Sequence, residues 1–140
     1  MEFYCLKAMI VDDHSTMRSI LRQYLKKMGI LEIVEASNGV EAIKSLHNLQ
    51  NKNCTLDFII CDLHMEHMDG MEFVKKVRKS ETIKNKDIPI MILTGDSEDL
   101  LREVSLQVGA TKVLHKPISV EELAAEVKQV VGFCDGNNIC

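Results

Sequence analysis

Residues 58–62 read Phe-Ile-Ile-Cys-Asp, a continuous apolar run that stops on an acid. An apolar run without alternation is what a strand covered on both faces requires, because side chains on both sides of its pleat meet packing rather than water. The same reading fits Met-Ile-Val at 9–11, ahead of Asp12-Asp13, and Ile-Met-Ile-Leu at 90–93, ahead of Thr94-Gly95. In full, the strand candidates are Lys7–Val11, Leu31–Ala36, Phe58–Cys61, Ile88–Leu93 and Lys112–His115.

Helical patterns separate these runs. Met17, Ile20, Leu21, Tyr24 and Met28 recur at helical spacing, and Gly29 is a stop signal. Asn38 with Glu41, Asp69 with Glu72, and Ser119 with Glu122 are spaced to cap three further helices, and Ser97 is the cap expected for the one before Gly109. Those helices carry Val40, Ile43 and Leu46; Met71, Val74 and Val77; Leu123, Val127 and Val130; and Leu101, Val104 and Val108. The polar stretch His47–Thr55 reads as a long connection. Five strand–helix units predict an α/β fold: an open, doubly wound parallel sheet with helices on both faces.

The 140 residues suffice for one domain, expected over residues 1–133, with 134–140 a polar tail. A net charge of −4 without a basic stripe gives no reason to expect nucleic acid as a partner. No apolar run reaches the roughly 20 residues of a membrane span, so no membrane insertion is expected. The first residues, Met-Glu-Phe-Tyr-Cys, carry no signal-peptide pattern. Cys5, Cys54, Cys61, Cys134 and Cys140 are odd in number and form no CxxC, so reduced thiols in a cytoplasmic protein are expected, with Cys61 acting as a small buried hydrophobe.

Ligands of open α/β sheets sit at the carboxyl ends of the strands. Asp12 and Asp13 follow the first run, Asp62 the third, Thr94 the fourth and Lys116-Pro117 the fifth. Three clustered carboxylates repel one another unless a cation neutralises them, and carboxylate oxygens suit Mg²⁺. A carboxylate held against Mg²⁺ and a lysine can attack phosphorus, with the cations offsetting charge on the transferring group and Thr94 donating to one of its oxygens. Each residue alone reads as a helix cap, a turn residue or a solvated cation; the five together do not. Thr94 and Lys116 are both expected to be partly exposed, because a buried, uncompensated lysine is costly.

Val11-Asp12-Asp13, the stretch Asp62-Leu-His-Met-Glu-His-Met-Asp69-Gly70, Leu93-Thr94-Gly95 and Lys116-Pro117 together resemble the signature of response-regulator receiver domains. Residues 11–18, Val-Asp-Asp-His-Ser-Thr-Met-Arg, look like those of the stand-alone chemotaxis-type regulators. The resemblance implies a flavodoxin-like five-stranded sheet of order 2-1-3-4-5 with five helices, an order for which a chemotaxis receiver is itself a standard example. It further implies that Asp62 is the phosphoacceptor. Asp13, Asp62 and the His64 backbone carbonyl would hold Mg²⁺, with Asp12 supporting the ion through water. Thr94 and Lys116 would contact the phosphoryl group, and the Lys116–Pro117 bond would be cis. The sequence departs from the family pattern at Glu66, where a proline is usual, and at Val113, where an aromatic is usual; His64 and Asp96 occupy the positions that tune phosphoryl lifetime.

The implied function is a response regulator in a two-component phosphorelay, acting on itself rather than as an enzyme. A histidine kinase or phosphotransfer protein would supply the phosphoryl group. The downstream target would be a protein, a flagellar motor component by analogy with the chemotaxis type. A phosphate-independent interaction module and a relay intermediate are the alternatives. A Mg²⁺-dependent phosphohydrolase fits poorly, since that chemistry wants a second acid two residues after the nucleophile, where His64 stands. His64 and His67 read as solvated loop residues rather than transition-metal ligands.

Overall fold

The computed structural model describes residue 3 and residues 5–132. Ten elements alternate along the chain: β1 (Lys7–Val11), α1 (Ser15–Lys27), β2 (Glu32–Ala36), α2 (Gly39–Asn51), β3 (Phe58–Asp62), α3 (Gly70–Arg78), β4 (Ile90–Thr94), α4 (Asp99–Gln107), β5 (Lys112–His115) and α5 (Val120–Val130). The strands form one parallel sheet in the order β2-β1-β3-β4-β5, the flavodoxin-like arrangement the sequence implies.

Strand alternation divides the core in two. Ala8, Ile10, Phe58, Ile60, Met91 and Leu93 point to the face covered by α1 and α5, where Leu21, Leu25, Leu123 and Val127 are buried. Met9, Val11, Ile59, Cys61, Ile90 and Ile92 point to the other face, against Ala42 and Leu46 of α2 and Phe73, Val74 and Val77 of α3. The register sets Val11 beside Cys61 and Asp62 beside Leu93, so β1, β3 and β4 end at one edge of the sheet.

Three expected caps form. Asn38 Oδ1 accepts from Glu41 N at 2.9 Å, Asp69 Oδ1 from Glu72 N at 2.8 Å and Ser119 Oγ from Glu122 N at 3.0 Å, the last completed as a capping box by the Glu122 side chain. Ser97 does not cap α4, which begins after Glu98 without a side-chain cap. Asp96 organises that turn instead: its Oδ1 accepts from Glu98 N and its N donates to Thr94 Oγ1, both at 3.0 Å. The stretch His47–Thr55 is likewise not all connection, since α2 runs to Asn51. Leu49 packs on the core, while the polar His47 and Gln50 reach across to Thr82 and Lys84. Helices α1, α4 and α5 end on a positive-φ glycine, and α2 uses Asn53 in that place. Gly109, at φ +117°, closes α4 in a backbone region that favours glycine, and a Cβ there would meet Arg78 Cγ at 2.8 Å.

Cys61 is buried and free, as expected, and Cys54 is free; Cys5 is disulfide-bonded, which corrects the expectation of reduced thiols throughout. Cys134, Cys140 and the expected polar tail lie outside the described residues. Among the described residues no helix is long and apolar enough to cross a membrane.

Gly70 fixes where the third strand ends. Its N donates to Leu63 O at 2.8 Å, and a Cβ would stand 2.4 Å from Asp62 O, so α3 can start this close to β3 only on a glycine. Gly70→Ala is therefore expected to lower stability by about 1–3 kcal/mol, the usual cost of overpacking. Urea unfolding followed by circular dichroism checks this, and an unchanged midpoint would contradict the assigned close contact.

Candidate functional site: an acidic cleft at the carboxyl edge of the sheet

The parallel register delivers Asp12 and Asp62 to neighbouring strand ends, where they are 1% and 7% exposed. Asp13, half-buried, and the exposed His14 follow in the loop to α1. One donor atom from each of Asp12, Asp13, His14 and Asp62 can be chosen so that all four lie within 4.8 Å of one another.

Lys116 closes the cleft from β5. Its Nζ lies 3.2 Å from Asp62 Oδ1 and 3.8 Å from Asp12 Oδ2, with a quarter of its side chain exposed. Its position is set by Lys116 N donating to Thr94 O at 2.8 Å, and the Lys116–Pro117 bond is cis, as the resemblance implies. Asp62 Oδ1 also accepts from Leu63 N at 3.0 Å. Burial, and then the charge of Asp12, push the Asp62 carboxyl above the usual carboxylate range, against the pull of Lys116 and the Leu63 amide. Beside it, burial and the Asp62 charge hold the Cys61 thiol well above its ordinary value, which leaves it an unreactive packing group.

Thr94 departs from expectation: it is 2% exposed rather than partly exposed. The cost that keeps a lysine near water does not apply to a hydroxyl satisfied locally, and Thr94 Oγ1 accepts from Asp96 N. Val113, on β5, is buried among the residues of the α2–α3 face. His64 is exposed, and its Nε2 lies 3.4 Å from Asp96 Oδ2, bridging the loops after β3 and β4.

Two residues near the acids escape a reading of the sequence alone. Arg18 Nη1 donates to Asp12 O at 2.6 Å, while its Nε pairs with Glu35, which Arg22 also holds. Nothing in the spacing of Arg18 and Glu35, 17 residues apart, marks this network. His14 has a signal, adjacency to Asp13, but a lone histidine at a helix start carries little information.

The donor set fits a divalent cation. It offers three carboxylates, and Asp13 Oδ1 is shielded from solvent with no hydrogen-bond partner, a costly state unless a cation faces it. The cleft, not the apolar cavity of about 200 Å³ beneath α2, is where the charged chemistry gathers; that cavity is lined by Leu46, Leu49, Leu56, Ile83 and Ile88 at the other end of β3.

A parallel five-stranded sheet with this acidic edge finds its match in a known family. The family model of the response regulator receiver domain covers residues 8–128, and the chain belongs to that family. Within it, the chain is 34% identical over 131 residues to a chemotaxis protein CheY homolog of Campylobacter jejuni, covering 94% of this chain and 96% of the relative. It is 32% identical over 130 residues to chemotaxis protein CheY1 of Helicobacter pylori, covering 93% and 100%. The structure of Vibrio cholerae chemotaxis protein CheY4 superposes with a TM-score of 0.74 at 34% identity, over 89% of this chain and 98% of that one. The chain is thus a two-component response-regulator receiver homologous to CheY.

In metal-free buffer, Asp62→Asn is expected to raise the melting temperature at neutral pH. The native carboxyl titrates above its unfolded value, so its ionised form weakens the fold at pH above that range. The gain should shrink as pH falls through the raised native value and vanish below the ordinary carboxylate range. Thermal melts with chelator across pH check this. A lower melting temperature at neutral pH would mean that the Lys116 attraction outweighs burial and Asp12 repulsion.

Proposed function

We propose that Asp62 accepts a phosphoryl group from a phosphohistidine of a histidine kinase or phosphotransfer protein, and that the modified domain switches its binding to a protein target. The observation that carries this reading is the placement of Lys116 Nζ against Asp62 Oδ1 in a cleft that also holds Asp12 and Asp13. Mg²⁺ would be held by Asp13, Asp62 and the His64 backbone carbonyl, with Asp12 behind them, and would supply charge neutralisation for the transfer.

The chain's own groups then have distinct tasks. An Asp62 carboxylate oxygen forms the bond to phosphorus as the donor's P–N bond breaks and its imidazole leaves. Lys116 offsets charge on the phosphoryl oxygens, and the raised proton affinity of Asp62 makes this cationic support necessary for the nucleophilic, ionised form. The Thr94 hydroxyl, now held by Asp96 N, is the group available to donate to a phosphoryl oxygen. The phosphoryl group carries about −1.5 to −2 charges where the ionised carboxylate carried one, and places them beside Lys116 and Thr94, which biases the α4–β5–α5 face between two arrangements. Catalysis is confined to the domain's own carboxylate, and the working place is the cytoplasm. The chemotaxis names of the relatives favour a target in a motility system, a flagellar motor component in the chemotaxis analogy.

Incubation with acetyl phosphate and Mg²⁺ should give one phosphoryl adduct by intact mass, absent in Asp62→Asn and absent with chelator. An adduct that survives in Asp62→Asn would overturn the assignment. Thr94→Ala should still form the adduct but lose the amide NMR shifts across Gly95–Leu101 that a phosphoryl mimic such as beryllofluoride induces in the parent. Persistence of those shifts would remove Thr94 from the switch.

A further inference from the structure

His14 occupies the residue before α1 but does not work as a cap; its side chain makes no hydrogen bond to the helix amides. It turns back toward the acids. Nδ1 lies 3.0 Å from Asp13 Oδ1 and 3.3 Å from Asp12 Oδ1, while 71% of the side chain is exposed. The backbone faces the same way, with His14 N donating to Asp12 Oδ1 at 2.8 Å. The contact with Asp12 Oδ1 is a hydrogen bond, whereas the shorter approach to Asp13 is not, since Asp13 Oδ1 has no hydrogen-bond partner.

Donors adjacent on a single ion with bonds of about 2.1 Å lie about 3.0–3.4 Å apart, in tetrahedral or octahedral arrangement alike. The separations of Nδ1 from Asp13 and Asp12 fall in that range, and Asp62 offers an oxygen within the same 4.8 Å cluster. An imidazole nitrogen among carboxylates alters the chemistry of the set. Mg²⁺ prefers oxygen and keeps its waters, whereas Zn²⁺ and its neighbours in the transition series gain from nitrogen.

We infer that His14 is a nitrogen ligand of the acidic cleft, through Nδ1, and that it allows the site to take a borderline divalent ion such as Zn²⁺ in competition with Mg²⁺. The inference rests on the metal-dependent reading proposed above and adds a residue to it. An ion bound this way shares Asp13 and Asp62 with Mg²⁺, so its binding and that of Mg²⁺ exclude one another. The phosphoacceptor then becomes sensitive to which divalent ion is present.

Zn²⁺ and Mg²⁺ titrated separately into the full chain, with imidazole ¹⁵N resonances followed by NMR, test this. One equivalent of Zn²⁺ should move His14 Nδ1 to the metal-bound range while His47, His64, His67 and His115 stay unmoved. His14→Gln, at an exposed position that should fold normally, should bind Zn²⁺ about tenfold or more weakly, with Mg²⁺ affinity changed less than about twofold. An unmoved His14 resonance, or equal Zn²⁺ affinity in His14→Gln, would show that the imidazole is only a neighbouring counter-charge and overturn the inference while leaving Mg²⁺ binding intact. Absence of Mg²⁺ binding to the parent chain would sink the metal-dependent reading itself, and this inference with it.

Discussion

Two carboxylates almost out of water at adjacent strand ends are the constraint around which the rest of the molecule is arranged. Asp12 and Asp62 are held there by the register of β1 against β3, which is itself fixed by two faces of buried aliphatic side chains. A one-residue slip would turn every one of those side chains to the opposite face, so the acids cannot drift apart without dismantling the core. Their repulsion must then be met locally. Lys116 meets it from β5, and the Leu63 amide meets it at one oxygen. The net result still leaves Asp62 reluctant to ionise. A fold that stores unfavourable charge at one point is stabilised by a cation that binds there, and that is the physical basis for a responsive site.

Much of this was legible in the sequence because it is local. Strands buried on both faces leave unbroken apolar runs, and caps such as Asn38, Asp69 and Ser119 act within three residues of themselves. The acids, Thr94 and Lys116 were legible because each ends a strand or stands within two residues of its end. What escaped was either tertiary or a competition between neighbours. Asp96 rather than Ser97 shapes the start of α4 because its side chain can reach Glu98 N while its own N reaches Thr94. The last turn of α2 hides in a polar stretch because His47 and Gln50 face outward to bond residues 82 and 84, a pairing more than 30 residues away in sequence. Arg78 reads as one more cation on a solvated helix, yet it donates to the carbonyls of Lys86, Ile88 and Gly109 and ties α3 to the connection before β4 and to the one before β5.

The burial of Thr94 changes how the cleft connects to the surface. An exposed hydroxyl could turn freely, whereas this one already serves the backbone of Asp96, whose side chain in turn holds the amide of Glu98 at the start of α4. Helix α4 has no side-chain cap, and among its residues only Ser105 is buried, while Leu100 is 67% exposed. It is thus held weakly by packing and begins on a turn whose geometry depends on one hydroxyl. Val113 sits on the neighbouring strand with a stiff, short side chain that offers no large rotation to carry a signal. The Thr94–Asp96–Glu98 hydrogen bonds thus join the acidic edge to the start of α4, and the neighbouring strand carries no aromatic ring at position 113.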